Sequence, residues 1–442
     1  MWLLPVFSPV ARAAAYVYYR IRYAGDAVPA TGPVLLVANH PNSLLDPTIV
    51  VAAARRPVRF LAKAPLFDDT KIGWAVKAAG SIPVYRKHDE GAQMSRNVDA
   101  FHAVYDVLAS GGAVGIFPEG ISHNEPALAP LKTGAARIAL GAAQRIGGAF
   151  PIVPIGLVLR EKDVFRSEAL AYRGTPVVWD DLASRGQDNA EAVRELTQRV
   201  ATALRSVTVN LEAWEDGPLV ECAVRVWESE RRAPATAAER VDRLRTTARI
   251  LADFRASGAA DGERLSRDVE AYRRQLARIG LRPADVAADV RLSRAMLWAA
   301  RRIHVLVPLE LLLAGAGGAL FWVPYQLTGQ IVRRIPLEVD VRSTWKLLIG
   351  LVTYIAWVGV LAAVAGLVWG IWSALALLVV VPAVGVLGLH ARQHWRSAWD
   401  DARRFFLLRS RQDLVAGLRA RQRELGDRLD AAYHTFLARG VE

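Results

Sequence analysis

Two long apolar segments near the C-terminus place the strongest constraint on how this chain can fold. Residues 347–369 and 371–389 contain no charged side chain, and Gly370 alone separates them. As helices, both segments are long enough to cross a hydrocarbon layer of about 30 Å. The sequence therefore predicts a tight helical hairpin, 347–389, that spans a membrane.

A third apolar segment, 303–331, is less suited to a straight span. It contains Glu310, two prolines and a glycine-rich run, which are costly or helix-breaking inside a bilayer. Basic residues follow both this segment and the hairpin, and the positive-inside rule keeps such flanks in the cytoplasm. We therefore expect a membrane region at 302–390 in which 303–331 is re-entrant or interfacial. A basic helical tail, 391–442, and the domain that precedes the membrane region should both lie on the cytoplasmic side of the inner (cytoplasmic) membrane.

The charge of the chain restricts its partners. The net charge of +13 indicates an anionic partner, which by charge alone could be a membrane surface, nucleic acid or a phosphorylated substrate. The tryptophans concentrate in and beside the apolar segments, where they suit interfacial anchoring better than base stacking, so nucleic acid is disfavoured. The single cysteine, Cys222, excludes an intrachain disulfide, and the sequence shows no metal-ligand cluster or nucleotide-binding glycine loop.

The N-terminal residues 1–24 have two interpretations. They lack a basic region ahead of the apolar stretch and contain Pro5 and Pro9, so we expect no cleaved signal peptide. From Ala11 onward tyrosines are mixed with arginines, a composition typical of an amphipathic helix in the lipid headgroup region. A first helix packed on the following domain fits this composition about equally well.

Residues 25–181 alternate short apolar runs with helical stretches, the pattern of an α/β domain. The predicted strands are 34–39, 58–63, 81–86, 113–120 and 152–159. Four apolar residues at helical spacing predict a helix that covers the sheet: Val98, Phe101, Tyr105 and Leu108. We expect a central, mostly parallel or mixed sheet with flanking helices. The Arg-, Glu- and Ala-rich residues 182–301 predict a helical insert or linker.

The chemical signal lies at the end of the first predicted strand, in the stretch Asn39-His40-Pro41-Asn42-Ser43-Leu44-Leu45-Asp46-Pro47. Functional residues favour this strand-end position in open α/β sheets. The imidazole of His40 can accept a proton from an alcohol near neutral pH, and a carboxylate on its other nitrogen would stabilise the imidazolium. Asp46 is the nearest candidate for that carboxylate. Spacing alone leaves open a structural histidine and an aspartate that only caps a helix, with Pro47 at the first helical position.

This stretch resembles the first motif block of the glycerolipid acyltransferase superfamily, which includes glycerol-3-phosphate and lysophosphatidate acyltransferases. The second and third blocks follow in order as Gly80-Ser81-Ile82-Pro83-Val84-Tyr85-Arg86 and Phe117-Pro118-Glu119-Gly120. The basic segment that follows the third block is Lys132-Thr133-Gly134-Ala135-Ala136-Arg137, and the fourth block is Ile152-Val153-Pro154-Ile155-Gly156. Four ordered blocks are far more specific than any one of them. The resemblance covers roughly residues 15–180 and implies a fold like that of glycerol-3-phosphate acyltransferase.

The resemblance also implies roles for particular residues. His40 becomes the general base and Asp46 its orienting carboxylate. Arg86 is associated with the acceptor phosphate, and Glu119 with Gly120 shapes the glycerol pocket. Further cations are implied at three positions: Lys132, Arg137 and Lys63. For Lys63 the family suggests contact with a substrate or coenzyme A phosphate, and a solvated surface lysine is an equal alternative.

Two departures from the family pattern bear on the acceptor. Five residues separate His40 from Asp46, where the usual block has four. This spacing resembles the branch that includes fungal glycerol-3-phosphate acyltransferases active on the first hydroxyl. The third block usually continues with threonine and arginine, whereas Ile121 and Ser122 follow Gly120 here. Arg86, Lys132 or Arg137 must then supply the cation.

The resemblance predicts a membrane-bound enzyme of phospholipid biosynthesis. It would transfer a fatty acyl group from acyl-CoA or acyl-ACP to the sn-1 hydroxyl of glycerol 3-phosphate, with no cofactor beyond the acyl donor. The alternatives are acylation of a lysophospholipid such as lysophosphatidate at sn-2, and a catalytically weak, membrane-anchored lipid-binding protein. The histidines His88, His102 and His123 have no partner at ligand spacing and are interpreted as structural or exposed.

Overall fold

A computed structural model describes residues 4–70, 73–85, 96–231, 236–287, 306–336 and 338–439. The chain divides into two compact units. The first, here called the α/β unit, comprises Met1–Gly217, Ala235–Ala252 and Glu338–Thr344. The second, the helical unit, comprises Pro218–Pro234, Asp253–Leu337 and Trp345–Glu442.

The α/β unit is built on one sheet, to which the described residues contribute seven strands in the spatial order β1-β7-β6-β2-β5-β3-β4. The strands are β1 (Arg20–Gly25), β2 (Val34–Ala38), β3 (Arg59–Lys63), β4 (Ile82–Val84), β5 (Ala113–Ile116), β6 (Ile152–Leu159) and β7 (Glu168–Arg173). Neighbouring strands are parallel except β6 and β7, which are antiparallel. The predicted mixed, mostly parallel sheet is confirmed.

The other regular elements among the described residues are helices. In the first part they are α1 (Leu4–Tyr18), α2 (Leu45–Ala54), α3 (Pro65–Asp68), α4 (Gly73–Ala78), α5 (Arg96–Ala109), α6 (Gly134–Ile146) and α7 (Ala190–Val207). The others are α8 (Asp216–Arg231), α9 (Ala237–Ser257), α10 (Ala260–Ile279), α11 (Pro283–Ala287), α12 (Leu306–Leu320), α13 (Trp322–Arg334), α14 (Val339–Trp369), α15 (Ile371–Ser410) and α16 (Gln412–Ala438).

The N-terminal segment differs from the prediction of one helix over 1–24. Helix α1 ends at Tyr18, and Arg20–Gly25 forms an edge strand paired with β7. Pairing with a strand distant in sequence decides this conformation, and local composition does not reveal it. Helix α1 buries Ala11 and Ala15 and contacts α2, so it packs on the domain.

Helix α5 covers the sheet with most of the predicted face, since Phe101, Tyr105 and Leu108 pack in or against the core and only Val98 does not. Val104 and Leu108 are fully buried, and Ala100 and Tyr105 nearly so, whereas Val98 is 57% exposed. Val98 therefore lies on the outer side of the first turn and is not part of the packed stripe.

The α/β unit continues beyond the predicted boundary at residue 181. Helix α7 places Leu196, Val200 and Leu204 in the same core as the sheet and α6. Its C-terminus approaches β6 so closely that a Cβ at Gly156 would lie 1.8 Å from the carbonyl oxygen of Val207. Because this amphipathic helix completes the core, the unit extends to Gly217.

The helical unit has its own core, in which α16 packs against α10 and α11. Leu418 and Leu425 of α16 are buried with Val269 and Tyr272 of α10. The Tyr272 hydroxyl donates to Gln422 Oε1 at 2.7 Å inside this core. The predicted tail 391–442 is helical, and along α16 its apolar face is covered by protein.

Among the residues that the structure describes, two helices are long and apolar enough to cross a membrane, namely Val341–Trp369 and Ile371–Trp395. They contain the two predicted spans and meet at Gly370, whose φ of +87° favours glycine. Helices α12 and α13 form a bent pair, with 50° between them. Pro324 explains the break, because its ring excludes a helical carbonyl four residues earlier, at Leu320. This pair is either a broken span or a re-entrant loop.

Candidate active site

The candidate site lies at the carboxyl edge of the parallel strands. His40 follows β2, and Glu119 lies just beyond the end of neighbouring β5. Because parallel strands end at the same edge of a sheet, these two loops meet there. The backbone N–H of His40 donates to Glu119 Oε1 at 2.8 Å, and the N–H of His123 donates to the His40 carbonyl at 3.3 Å.

The structure brings His40 and Asp46 into direct contact. His40 Nδ1 lies 2.8 Å from Asp46 Oδ2. The same carboxylate oxygen accepts the backbone N–H of Asn42 at 2.6 Å. Asp46 is fully buried, while the His40 side chain is 17% exposed. With Nδ1 held by the carboxylate, Nε2 is the nitrogen left to exchange a proton with a bound molecule.

The five-residue spacing is accommodated by a turn between the two residues. Ser43 adopts a left-handed conformation with φ of +44°, and α2 begins at Leu45. Asp46 therefore lies in the first turn of α2, where its side chain faces back toward His40. The interpretation of Asp46 as the N-cap is wrong, because Leu44 occupies that position and Asp46 accepts from Asn42 and His40 instead.

Asp46 is a buried carboxylate of which only one oxygen, Oδ2, accepts hydrogen bonds from the residues that the structure describes. Burial raises the pKa of Asp46, and the hydrogen bonds from His40 and from the Asn42 N–H oppose that rise. Its Oδ1 is buried and has no hydrogen-bond partner among the described residues. A carboxylate in this state gains most when His40 becomes an imidazolium, because its unsatisfied charge is then neutralised.

An aromatic ring fixes the plane of the His40 imidazole. Phe117 stacks on it with ring centroids 4.0 Å apart and planes 10° apart. Phe60 in turn stacks on Phe117, with ring centroids 5.6 Å apart. A face-on aromatic neighbour restricts ring rotation without blocking the ring edge that carries Nε2.

Glu119 ties the two loops together. It is 2% exposed; its Oε1 accepts from His40, and its Oε2 accepts from the Ala129 N–H at 2.8 Å and from His123 Nε2. The predicted role of Glu119 in shaping the glycerol pocket stays a prediction. In the structure both carboxylate oxygens of Glu119 accept hydrogen bonds from the protein. The bond from the His40 N–H positions the backbone of His40.

His123 is interpreted from the sequence as structural or exposed, with no partner at ligand spacing, and the structure shows a structural histidine with a partner four residues earlier. Its side chain is 13% exposed and contacts Glu119. The N–H of Glu125 donates to His123 Nδ1 at 3.1 Å, which assigns the neutral ring's proton to Nε2, facing Glu119. The spacing of four residues from Glu119 was the available signal, but in a loop such spacing does not imply contact.

Lys132 lies against Gly120. The Lys132 N–H donates to the Pro118 carbonyl at 2.8 Å, and a Cβ at Gly120 would lie 2.8 Å from Lys132 Nζ. Gly120 has φ of +77°, a conformation that favours glycine. The exposed Lys132 ammonium is thereby held beside the Glu119 turn.

The other predicted cations have different positions. Lys63 is exposed at the carboxyl end of β3 and is paired with Val84 of β4, on the site's edge of the sheet. Arg137 donates to the Gln187 carbonyl at 3.0 Å, a contact on the helix layer that favours a structural role. Arg86 and His88 lie outside the described residues. His102 is exposed on α5 beside Tyr105.

A histidine paired with a buried aspartate at the carboxyl edge of a mixed sheet can act as a general acid–base pair, which transferases and hydrolases both use. Comparison with known proteins identifies the class more closely, since residues 20–158 match the Acyltransferase family model. The α/β unit therefore contains a region that is similar to the Acyltransferase family.

Individual relatives agree with this assignment. The chain is 33% identical over 202 residues to glycerol-3-phosphate O-acyltransferase 2 of Saccharomyces cerevisiae, which covers 44% of this chain and 26% of the relative. It is 30% identical over 150 residues to a chloroplastic 1-acyl-sn-glycerol-3-phosphate acyltransferase of Brassica napus, covering 34% of this chain and 40% of that protein. The chain thus spans well under half the length of these relatives.

Among solved structures, the chain is similar to the 1-acyl-sn-glycerophosphate acyltransferase PlsC of Thermotoga maritima. The TM-score is 0.34 at 19% identity, over 46% of this chain and 78% of that one.

Proposed function

We propose that this protein transfers a fatty acyl group from acyl-CoA or acyl-ACP to the sn-1 hydroxyl of glycerol 3-phosphate, which yields lysophosphatidate. The observation that carries the proposal is the contact of 2.8 Å between His40 Nδ1 and a fully buried Asp46 at the sheet edge. The name of the yeast relative supports glycerol 3-phosphate as the acceptor, and the five-residue spacing supports its sn-1 hydroxyl.

The reaction follows from the side chains in place. His40 Nε2 accepts the proton of the acceptor hydroxyl as its oxygen attacks the thioester carbonyl carbon. Asp46 stabilises the imidazolium, and backbone N–H groups near the strand ends stabilise the oxyanion. The C–S bond then breaks, and the thiolate leaves with the proton from Nε2. The products are an ester and a free thiol, so no cofactor is needed.

Cations near the site would hold the acceptor phosphate. Lys132 is held beside the Glu119 turn, and Arg86 follows β4, whose end lies beside Lys63. The ammonium of a lysine binds phosphate as a point charge, and the guanidinium of an arginine binds it through two parallel hydrogen bonds. We propose Arg86 and Lys132 as the phosphate ligands in place of the arginine missing after Gly120.

The apolar helices support a membrane location. A long-chain acyl donor and a lysophospholipid product both partition into lipid, so an enzyme attached to the bilayer meets both. We propose the cytoplasmic membrane as the site of the protein, with the α/β unit on the cytoplasmic side, from the basic residues that flank the spans.

The proposal is tested by giving purified full-length protein, in detergent or vesicles, a radiolabelled acyl-CoA with either glycerol 3-phosphate or lysophosphatidate. We expect lysophosphatidate from the first acceptor. Phosphatidate made only from the second acceptor would establish the sn-2 alternative, which the Brassica relative favours. Transfer to neither, with acyl-CoA or acyl-ACP, would refute the proposed activity.

The phosphate ligands are tested separately. Arg86→Ala should raise the acceptor's KM at least tenfold and leave the donor's KM within about twofold, because a charge-assisted contact to the phosphate is lost. The matched control is Arg185→Ala, at an exposed arginine of the α/β unit. A change in the donor's KM instead would reassign Arg86 to the acyl donor.

A further inference from the structure

The loop that connects His40 to Asp46 is held by a residue from a distant part of the chain. Asn42 lies in this loop and is fully buried, as is Ser343 on the second turn of α14. The Ser343 hydroxyl donates to Asn42 Oδ1 across a separation of 301 residues. Ser343 belongs to Glu338–Thr344, a short stretch of the α/β unit that follows Asp253–Leu337 of the helical unit in the sequence.

The remaining hydrogen bonds of Asn42 fix which way its amide faces. Asn42 Nδ2 donates to the Lys162 carbonyl at 3.2 Å and to the Tyr19 hydroxyl. A carbonyl only accepts, so the amide nitrogen must face Lys162 and the amide oxygen must face Ser343. The side chain of Asn42 therefore has partners on both its oxygen and its nitrogen.

The backbone of Asn42 connects this cluster to the candidate catalytic pair. Its N–H donates to Asp46 Oδ2, the oxygen that contacts His40 Nδ1. A shift of the Asn42 side chain would move this N–H and with it the carboxylate that orients His40. Nearby, Arg342 pairs with Asp163 at 3.4 Å and helps to hold the same stretch of α14 in place.

Taking the proposed acyltransferase activity as given, we propose that Ser343 is a positioning residue of the active site. It holds Asn42 so that the Asn42 N–H and the Asp46 carboxylate keep His40 in its working orientation. The first turns of α14 are then part of the catalytic apparatus, and residues 20–158, which match the family model, do not contain the whole site.

The inference is tested with Ser343→Ala in the full-length chain. We expect kcat to fall about tenfold, the equivalent of one buried hydrogen bond, while both KM values stay within about twofold. Ser343→Cys, which keeps a weak donor of similar size, should retain more activity. The control Ser373→Ala removes a hydroxyl that donates at 2.8 Å to the Ala365 carbonyl in the apolar hairpin, and it should leave kcat unchanged.

A double-mutant cycle separates positioning from a general loss of stability. If Ser343 acts through Asp46, the Ser343→Ala change should cost less than about threefold in kcat when Asp46 is already Ala, because both contacts of the carboxylate are then gone. Equal fold-losses in both backgrounds, or normal kcat in Ser343→Ala, would overturn the inference.

The proposed function is checked in the same series. Transfer by the wild-type chain that is lost in His40→Ala upholds that function whatever Ser343 does. An inactive wild-type chain would refute the function and, with it, the role of Ser343.

Discussion

The Asp46→Asn variant should lose activity without losing stability. Asparagine can place its amide oxygen where Asp46 Oδ2 accepts from His40 and Asn42, with the amide nitrogen at the unpartnered Oδ1 position. The geometry is kept and the negative charge is removed. For charge centres about 4 Å apart at an effective dielectric constant of about 20, the lost attraction for the imidazolium is about 4 kcal/mol. That corresponds to roughly a thousandfold lower kcat.

Folding stability should respond differently. Burial raises the pKa of Asp46, so the folded state bears a cost for the ionised carboxylate that a neutral amide does not. We therefore expect the thermal unfolding temperature of Asp46→Asn in detergent to stay within a few degrees of wild type, or to rise.

The assay combines kcat at saturating labelled acyl donor with thermal unfolding of the same preparations. The control is Asp99→Asn, at an exposed aspartate in the first turn of α5, which should change neither quantity. If Asp46→Asn instead kept wild-type kcat and unfolded at a clearly lower temperature, Asp46 would be only a helix-start residue and our reasoning would be refuted.

Three further predictions concern positioning, accessibility and topology. His123→Ala removes the donor to Glu119 Oε2 and should lower kcat about tenfold, while His123→Gln retains a donor and more activity; equal losses in both would show that the donor is unimportant. Burial raises the pKa of the Cys222 thiol to about 11, so at pH 8 it should react at least tenfold more slowly with maleimide than free cysteine does, unless the folded unit opens. In a Cys222→Ala background, Ser184→Cys and Ala420→Cys should both be protected in intact cells from an impermeant thiol reagent; labelling of the second alone would show that α12 and α13 cross as one span.

Much of the sheet was predictable because buried parallel strands consist of continuous apolar residues. This applies to β2 and to most of β6, whose residues are buried. The strands β1 and β7 were not predicted. They form one end of the sheet and mix charged with apolar side chains, so their conformation depends on pairing with each other.

The candidate site was predictable where its contacts are local in sequence. His40 and Asp46 are six residues apart, and a strand followed by a helix brings them together. Ser343 could not be found this way, since its contact with Asn42 joins residues 301 positions apart. His123 meets Glu119 in irregular backbone, where no periodic pattern indicates which side chains are neighbours.

The most direct test of the account is acyl transfer by His40→Ala. The variant deletes the only group in the proposal that accepts the hydroxyl proton, and the control His102→Ala changes an exposed histidine on α5. We predict that the control keeps wild-type turnover and that His40→Ala retains less than about a hundredth of it, with unchanged thermal unfolding. Turnover above about a tenth of wild type in folded His40→Ala would contradict the central claim that His40 is the general base.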